Sequence, residues 1–495
     1  MDGHTADKPA VTDDHPVVIV GGDAAGMSAA SKLKRERPDR EVIVFEKGDW
    51  VSYGACGLPY YIKGEVESLS DLVSIPPEKF RSERGIDLRT NHEVVEIDTE
   101  SREVTVERHE EPDNESGTET ITQPYGTLLI ATGARAVEPP FDGMELDGVF
   151  TLHEMDAAKE IREYLGLETG GDSEAAVNAR SVAIVGGGYV GIEMAEAFAA
   201  HGLEVHLYEM LPHVLQPFGE ETAEVVENHL DEQGIDLHLE TAVEGFLSAS
   251  ETDTVETAET DDKSVAAIEA GGQRMPVDMV LVGVGVVPNV EIAETAGIET
   301  GSTGAIATDE YGETNVEGVY AAGDCAEARH VVTDEPDHVP LALTANRAGR
   351  AIGSTLAGEP TPVGPIAGTA VLKAFDLEVA RTGVIDPERA RSNGFDPVSV
   401  TISAPTRAHY YPGGVELQVT LVADAASNRV LGASIVGEEG AAKRIDTVAT
   451  ALSAELTVPE LEKLDLSYAP PFSPVWDPVL TAAKVLNGKL EPSGG

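Results

Sequence analysis

Val17-Val18-Ile19-Val20-Gly21-Gly22-Asp23-Ala24-Ala25-Gly26 runs from four apolar residues straight into a glycine turn. The apolar run reads as a buried parallel strand, the glycines as a tight turn and Met27 to Glu36 as a helix. Glu41 to Phe45 supplies a second strand, closed by Glu46, 20 residues after Gly26, where a carboxylate accepts hydrogen bonds from a ribose. The same unit returns about 165 residues later. It comprises Val182-Ala183-Ile184-Val185, Gly186-Gly187-Gly188-Tyr189-Val190-Gly191, a helix to His201 with Gly202 as its C-cap, and Glu204 to Tyr208 ending at Glu209. In each turn the glycines let the backbone approach a pyrophosphate, whose charge the helix N-terminus stabilises. Two strand-turn-helix-strand-acid units predict an α/β protein with two Rossmann-like nucleotide-binding domains.

Working outward, residues 1–14 are polar and acidic and are expected to be disordered. The stretch Ser248 to Lys263 reads as a surface hairpin or loop between strands, and Leu356 to Pro362 as a linker. Residues 363–488, with alternating segments at Glu416 to Val422 and Arg429 to Val436 and helical stretches at Ala441 to Ser453 and Val458 to Lys463, predict a third, α+β domain. The tail from Asn487 is expected to be loose. The first nucleotide-binding domain is assigned to 15–152 and 285–350, the second to 153–284.

The chain has 495 residues, 88 Asp+Glu against 34 Lys+Arg, and a formal net charge of -54. Such a surface repels itself unless salt screens it, and the Debye length falls to about 3 Å at molar salt, so the balance suits a salt-rich, halophilic cytoplasm. A nucleic-acid partner is disfavoured, because phosphate binding draws on a basic face. One basic cluster stands out: Lys32, Lys34, Arg35, Arg37 and Arg40, either an anion site or a helix face balancing Glu36 and Asp39. Two cysteines make no disulfide framework, no secretory signal is evident and no apolar run is long enough for a membrane span, so a cytoplasmic location is expected. No residue is assigned to a metal.

Cys56 lies in Ser52-Tyr53-Gly54-Ala55-Cys56-Gly57-Leu58-Pro59-Tyr60-Tyr61, ten residues after Glu46, with no second cysteine five positions away. A redox role would therefore use one thiol without a neighbouring partner. Gly57 and Pro59 fit the first turn of a helix, whose amides and dipole would lower the thiol pKa. The alternative is a buried, inert cysteine, the reading given to Cys325.

With Leu128-Leu129-Ile130-Ala131-Thr132-Gly133-Ala134, Val280 to Asn289, Gly318-Val319-Tyr320-Ala321-Ala322-Gly323-Asp324, Tyr410-Tyr411-Pro412-Gly413 and Tyr468-Ala469-Pro470-Pro471-Phe472-Ser473, the sequence resembles the flavin-dependent pyridine nucleotide-disulfide oxidoreductases. The single cysteine is similar to the branch of coenzyme A-disulfide reductases and NADH oxidases and peroxidases. The resemblance covers about residues 15–485 and implies FAD in the first site, NAD(P)H in the second and a homodimer through the third domain. It maps FAD binding onto Gly21, Gly26, Glu46, Thr132, Gly133 and Asp324, with Asp23 a departure where a middle glycine is usual. In the second site, with Gly186, Gly188 and Gly191, Glu209 would repel a 2'-phosphate, which favours NADH; NADPH stays open through His213.

Within that branch, peroxidases and many oxidases carry a histidine at the position of Ala24, so the resemblance favours disulfide reduction. It implies Cys56 as the redox centre, Tyr410 and Tyr468 reaching it from the partner subunit, and Lys32, Arg35 and Ser52 against coenzyme A; the usual Asn before the cysteine is Ala55. The expected reaction is reduction of CoA disulfide through a Cys56-S-S-CoA intermediate. NADH oxidase, a per- or polysulfide reductase and, more distantly, an electron-carrier flavoprotein are the alternatives.

Overall fold

The computed structural model describes residues 15–109, 119–167, 179–252 and 263–490. The expectation for residues 1–14 falls outside them. The polar stretch from Ser248 falls there in large part, between strands Val243–Ser248 and Val265–Ala270, which pair antiparallel.

Two parallel sheets dominate. The first runs Val319–Ala321, Thr127–Ile130, Val17–Val20, Val42–Phe45, Asp87–Arg89. The second runs Asp236–His238, Glu204–Tyr208, Ser181–Val185, Met279–Val282, Val149–Thr151. In each, the strand entering the glycine turn is central, and the two later strands that pair with it lie on its opposite sides, which opens a ligand crevice at the carboxyl ends of the strands.

Side-chain alternation explains the unbroken apolar runs. Val17 and Ile19 pack with Ala25, Ala29 and Ile352 of the helices Ala24–Glu36 and Ala342–Leu356. Val18 and Val20 face the other way, onto Val94, Val104 and Val106 of an antiparallel meander. The second unit repeats this: Val182 and Ile184 lie on the helical side, Ala183 and Val185 against the meander that holds Phe246 and Ile268.

Three sequence-based boundaries shift. The first helix starts at Ala24, inside the glycine fingerprint, because Met27 N already donates to Asp23 O. Val149–Thr151 hydrogen-bonds to Met279–Val282, so the crossing into the second sheet precedes Val149 instead of following Leu152. Residues 487–490 of the tail expected to be loose continue the helix Pro478–Leu490, anchored by Leu486 in the core, and the rest of that tail lies outside the described residues.

The C-terminal domain is an antiparallel sheet in the order Ala370–Ala374, Leu377–Gly383, Val430–Gly437, Glu416–Asp424, Pro397–Pro405. Val430–Gly437, expected to alternate, is buried throughout, since Ala441–Ser453 covers one face and helix Glu220–Glu232 of the second nucleotide-binding domain approaches the other. Thr222 and Ser434 share a buried hydroxyl hydrogen bond of 2.8 Å across that junction.

Candidate active site

Each acid at a strand end holds its own glycine turn. Glu46 accepts from Gly22 N at 2.7 Å and Gly48 N at 2.9 Å; Glu209 accepts from Gly187 N at 2.8 Å and Leu211 N at 2.9 Å. Gly21 has φ +109°, and a Cβ there would lie 2.1 Å from Ala131 O, so only glycine fits; Gly186, at φ +107°, would meet Gly283 O at 2.4 Å. Gly26 and Gly191 would each strike the carbonyl of the turn's first glycine at 2.0 Å.

Between the turns lies a cavity of about 1210 Å³ whose lining includes Asp23 and Ala24 from the first turn, Gly188 and Tyr189 from the second, and Cys56. Ser52, Gly133, Asp324, Lys32 and Arg35 also line it. Gly21, Gly26, Glu46, Thr132, Gly186, Gly191 and Glu209 instead shape the turns and strand ends around it; Thr132 Oγ1 donates to Asn289 O at 2.7 Å.

Cys56 sits in a 3-10 turn, Ala55–Gly57, that leads into helix Leu58–Lys63 with Pro59 in its first turn. Ser52 opens this segment at φ +52°, a strained conformation for a residue with a Cβ. It is held by Ser52 N to Gly22 O at 3.1 Å and Ser74 N to Ser52 O at 2.8 Å. Asp23, the residue standing where the fingerprint has its middle glycine, accepts from Tyr53 N at 3.1 Å and so ties the cysteine segment to the first turn.

The Cys56 thiol is exposed to the cavity, yet its pKa is pushed up and not down: burial by the cavity walls is the largest cause, then the charge of Glu193. The short helix after it does not outweigh those two. Glu193 itself is pushed up to about 7, by burial first, against the opposing hydrogen bond from Tyr60 Oη at 3.0 Å. Asp23 is raised to about 6, again by burial. Burial also raises Asp324, partly offset by His153 and His338. Sequence reasoning missed Glu193; its one signal was a carboxylate within the otherwise apolar run Tyr189–Met194.

The basic cluster divides. Lys32 and Arg35 line the cavity, joined by Arg84 and Arg350, which the sequence did not point to. Lys32 is also ion-paired with Glu36. The rest brace the helix end: Lys34 donates to the carbonyls of Pro38 and Arg40, Arg37 pairs with Asp39 at 3.7 Å, and Arg40 is buried. Tyr410 and Tyr468 are not in this lining; they stand exposed on the C-terminal domain with their hydroxyls 2.9 Å apart. Cys325 is fully buried, its Sγ 3.4 Å from Ala322 O.

Residues 15–349 match the model of the pyridine nucleotide-disulphide oxidoreductase family, and residues 369–478 that of the family's dimerisation domain. The chain is a pyridine nucleotide-disulphide oxidoreductase. This oxidoreductase is 41% identical over 471 residues to an NAD(P)H sulfur oxidoreductase (CoA-dependent) of Pyrococcus abyssi, covering 95% of this chain and 98% of that protein. It is 31% identical to a coenzyme A disulfide reductase of Staphylococcus aureus, over 92% of this chain and 96% of that one. Among solved structures it is similar to an NAD-dependent persulfide reductase from A. fulgidus, with a TM-score of 0.87, 36% identity and coverage of 96% and 83% of the two chains. The oxidoreductase is an NAD(P)H-dependent flavoprotein. Its site fits FAD in the first turn: a cradle closed to any Cβ, a half-buried acid at the ribose position and the cavity-lining Asp324 carboxylate. Among the described residues no helix is long and apolar enough to cross a membrane.

Proposed function

We propose that this oxidoreductase reduces CoA-linked disulfides through Cys56. The observation that carries the reading is one thiol facing the cavity between the two nucleotide turns, in a lining that also holds Lys32, Arg35, Arg84 and Arg350. Four cations on one cavity match the phosphates of coenzyme A far better than the rest of this acidic surface would. Ala24 stands where an imidazole would serve peroxide chemistry.

Cys56 thiolate attacks one sulfur of CoA disulfide; that S–S bond breaks, Cys56-S-S-CoA forms and CoA thiolate leaves with a proton. Glu193, with its pKa near 7, is the group placed to take up the Cys56 proton. Bound FAD and NAD(P)H supply the two electrons that reopen the mixed disulfide, so that CoA disulfide, NAD(P)H and a proton give two CoA thiols and NAD(P)⁺. Tyr410 and Tyr468 of a second copy of the chain give phenol donors to the leaving thiolate; exposed Phe472, Val475 and Trp476 beside them supply the apolar surface for that homodimer. Glu209, followed by Met210 and Leu211 with no cation, favours NADH, and His213 is already engaged by Glu227 at 3.2 Å.

A second reading, reduction of CoA persulfide or polysulfide, is favoured by the names of the relatives at 41% and 36% identity. It uses the same thiol and cation set. The test is NADH oxidation under nitrogen with CoA disulfide, with polysulfide plus CoA, and in air alone. Turnover that follows either sulfur substrate and vanishes in Cys56→Ser, with FAD retained, is expected. Turnover in air alone would make the protein an oxidase.

A further inference from the structure

At the outer edge of the second sheet, strand register sets His206 opposite Asp236 and Tyr208 opposite His238. Side chains two apart on a strand share a face, so His206, Asp236 and His238 converge on the side where Tyr208 packs against the meander, away from the nucleotide cavity. His206 Nδ1 lies 3.1 Å from Asp236 Oδ2, and His238 Nε2 lies 3.2 Å from the same oxygen. One ligand atom from each of the three falls within 4.8 Å of the others. With metal–nitrogen bonds of about 2.0–2.1 Å, a tetrahedral site has edges of about 3.3 Å, so two edges are already at length.

Three further features fit a metal. His238 Nε2 is buried and makes no hydrogen bond to the carboxylate beside it, an arrangement that a cation between nitrogen and oxygen would satisfy. Tyr208 stacks on His238 at 4.3 Å and 9°, fixing the imidazole plane. Glu204 stands 3.7 Å from His206 Nε2, as the outer carboxylate does on many metal-bound histidines.

We propose that His206, Asp236 and His238 form a binding site for a divalent transition-metal ion of the Zn²⁺ class, with the remaining coordination position left to water. Two imidazoles and one carboxylate select such ions over Mg²⁺. The ion would pin the edge strand to its neighbour just before Glu209, whose N donates to His238 O at 3.0 Å.

The test titrates Co²⁺ into the full-length flavoprotein, free of tag and stripped with chelator, in molar KCl with excess Mg²⁺. The expected result is stoichiometric binding with the visible absorption of four- or five-coordinate cobalt, displaced by Zn²⁺, and a saturable rise in unfolding temperature. His238→Gln and Asp236→Asn should lose both signals while keeping bound flavin, and Glu204→Gln should weaken binding about tenfold. An unchanged cobalt spectrum in His238→Gln, displacement by Mg²⁺, or no saturable binding by the wild-type protein would overturn the assignment; the last would leave Asp236 simply shared between two imidazoles.

Discussion

Glu193 and Cys56 are coupled through charge: the carboxylate is one reason the thiol pKa is high, and burial is the reason the carboxylate is itself half-protonated near neutrality. In Glu193→Gln the alkylation rate of Cys56 should therefore rise at lower pH than in the wild type; a shift to higher pH would refute the coupling. Stability follows from the same group. Its folded pKa of about 7 exceeds the ordinary 4.5, so its protonation favours the folded state at low pH and that contribution is lost as pH rises through 7. Glu193→Gln should flatten this dependence, gaining up to about 3 kcal/mol over wild type above neutrality in denaturant unfolding. The cations allow a second residue-scale test. Arg35→Glu or Arg84→Glu should raise KM for CoA disulfide about tenfold, the value of one charge-assisted hydrogen bond, and leave KM for NADH unchanged. Cys56 could be picked out because the chain has two cysteines, and Arg35 because it falls in a basic cluster of an acidic chain. Arg84 and Arg350 could not, since nothing local marks an arginine that reaches a site from a distant segment.

Among the elements, the helix that follows Cys56 is held by one buried acid. Glu196, on the helix Tyr189–Ala200, accepts from Lys63 at 2.6 Å, Lys373 at 2.6 Å and Phe375 N at 2.9 Å, so it joins three units of the fold. Burial opposes its ionisation, yet the two lysines hold its pKa below the ordinary carboxylate range. Its contribution is therefore present at neutral pH and is lost as pH falls through that lowered pKa. Glu196→Gln should cost about 3 kcal/mol at pH 7, read as a lower urea midpoint, because Lys373 loses its carboxylate and Lys63 is left with Glu65 alone of its two. A variant as stable as wild type would show that the lysines find water instead. Periodicity marks this helix and its glycine turn; it does not mark Glu196, which in sequence is one acid among many.

For the whole molecule, charge and association decide. With 88 acids against 34 bases, raising KCl from about 0.1 M to 2 M should raise the unfolding temperature, since the Debye length shrinks from about 10 Å to below 3 Å. Equal midpoints at both salts would mean that self-repulsion does not limit this fold. Phe472, 77% exposed, belongs to a loop tied to the Tyr410 segment through Ala408 N and Pro470 O at 3.2 Å. Phe472→Asp should yield monomers in sedimentation and lose disulfide turnover while keeping flavin; monomers with full turnover would remove the tyrosines from the proposed chemistry, and dimers would remove Phe472 from the interface. The two nucleotide units, their acids and the lone thiol were determined by the sequence alone, because a tight turn, a parallel strand and a strand-end carboxylate are local demands written in consecutive residues. The direction of the Cys56 pKa, the division of the basic cluster and the meeting of Glu193 with the thiol were decided only by tertiary structure. They depend on desolvation and on how separate segments meet, Glu193 with Cys56 and Arg350 with Arg35 being more than a hundred residues apart, and no local pattern encodes those.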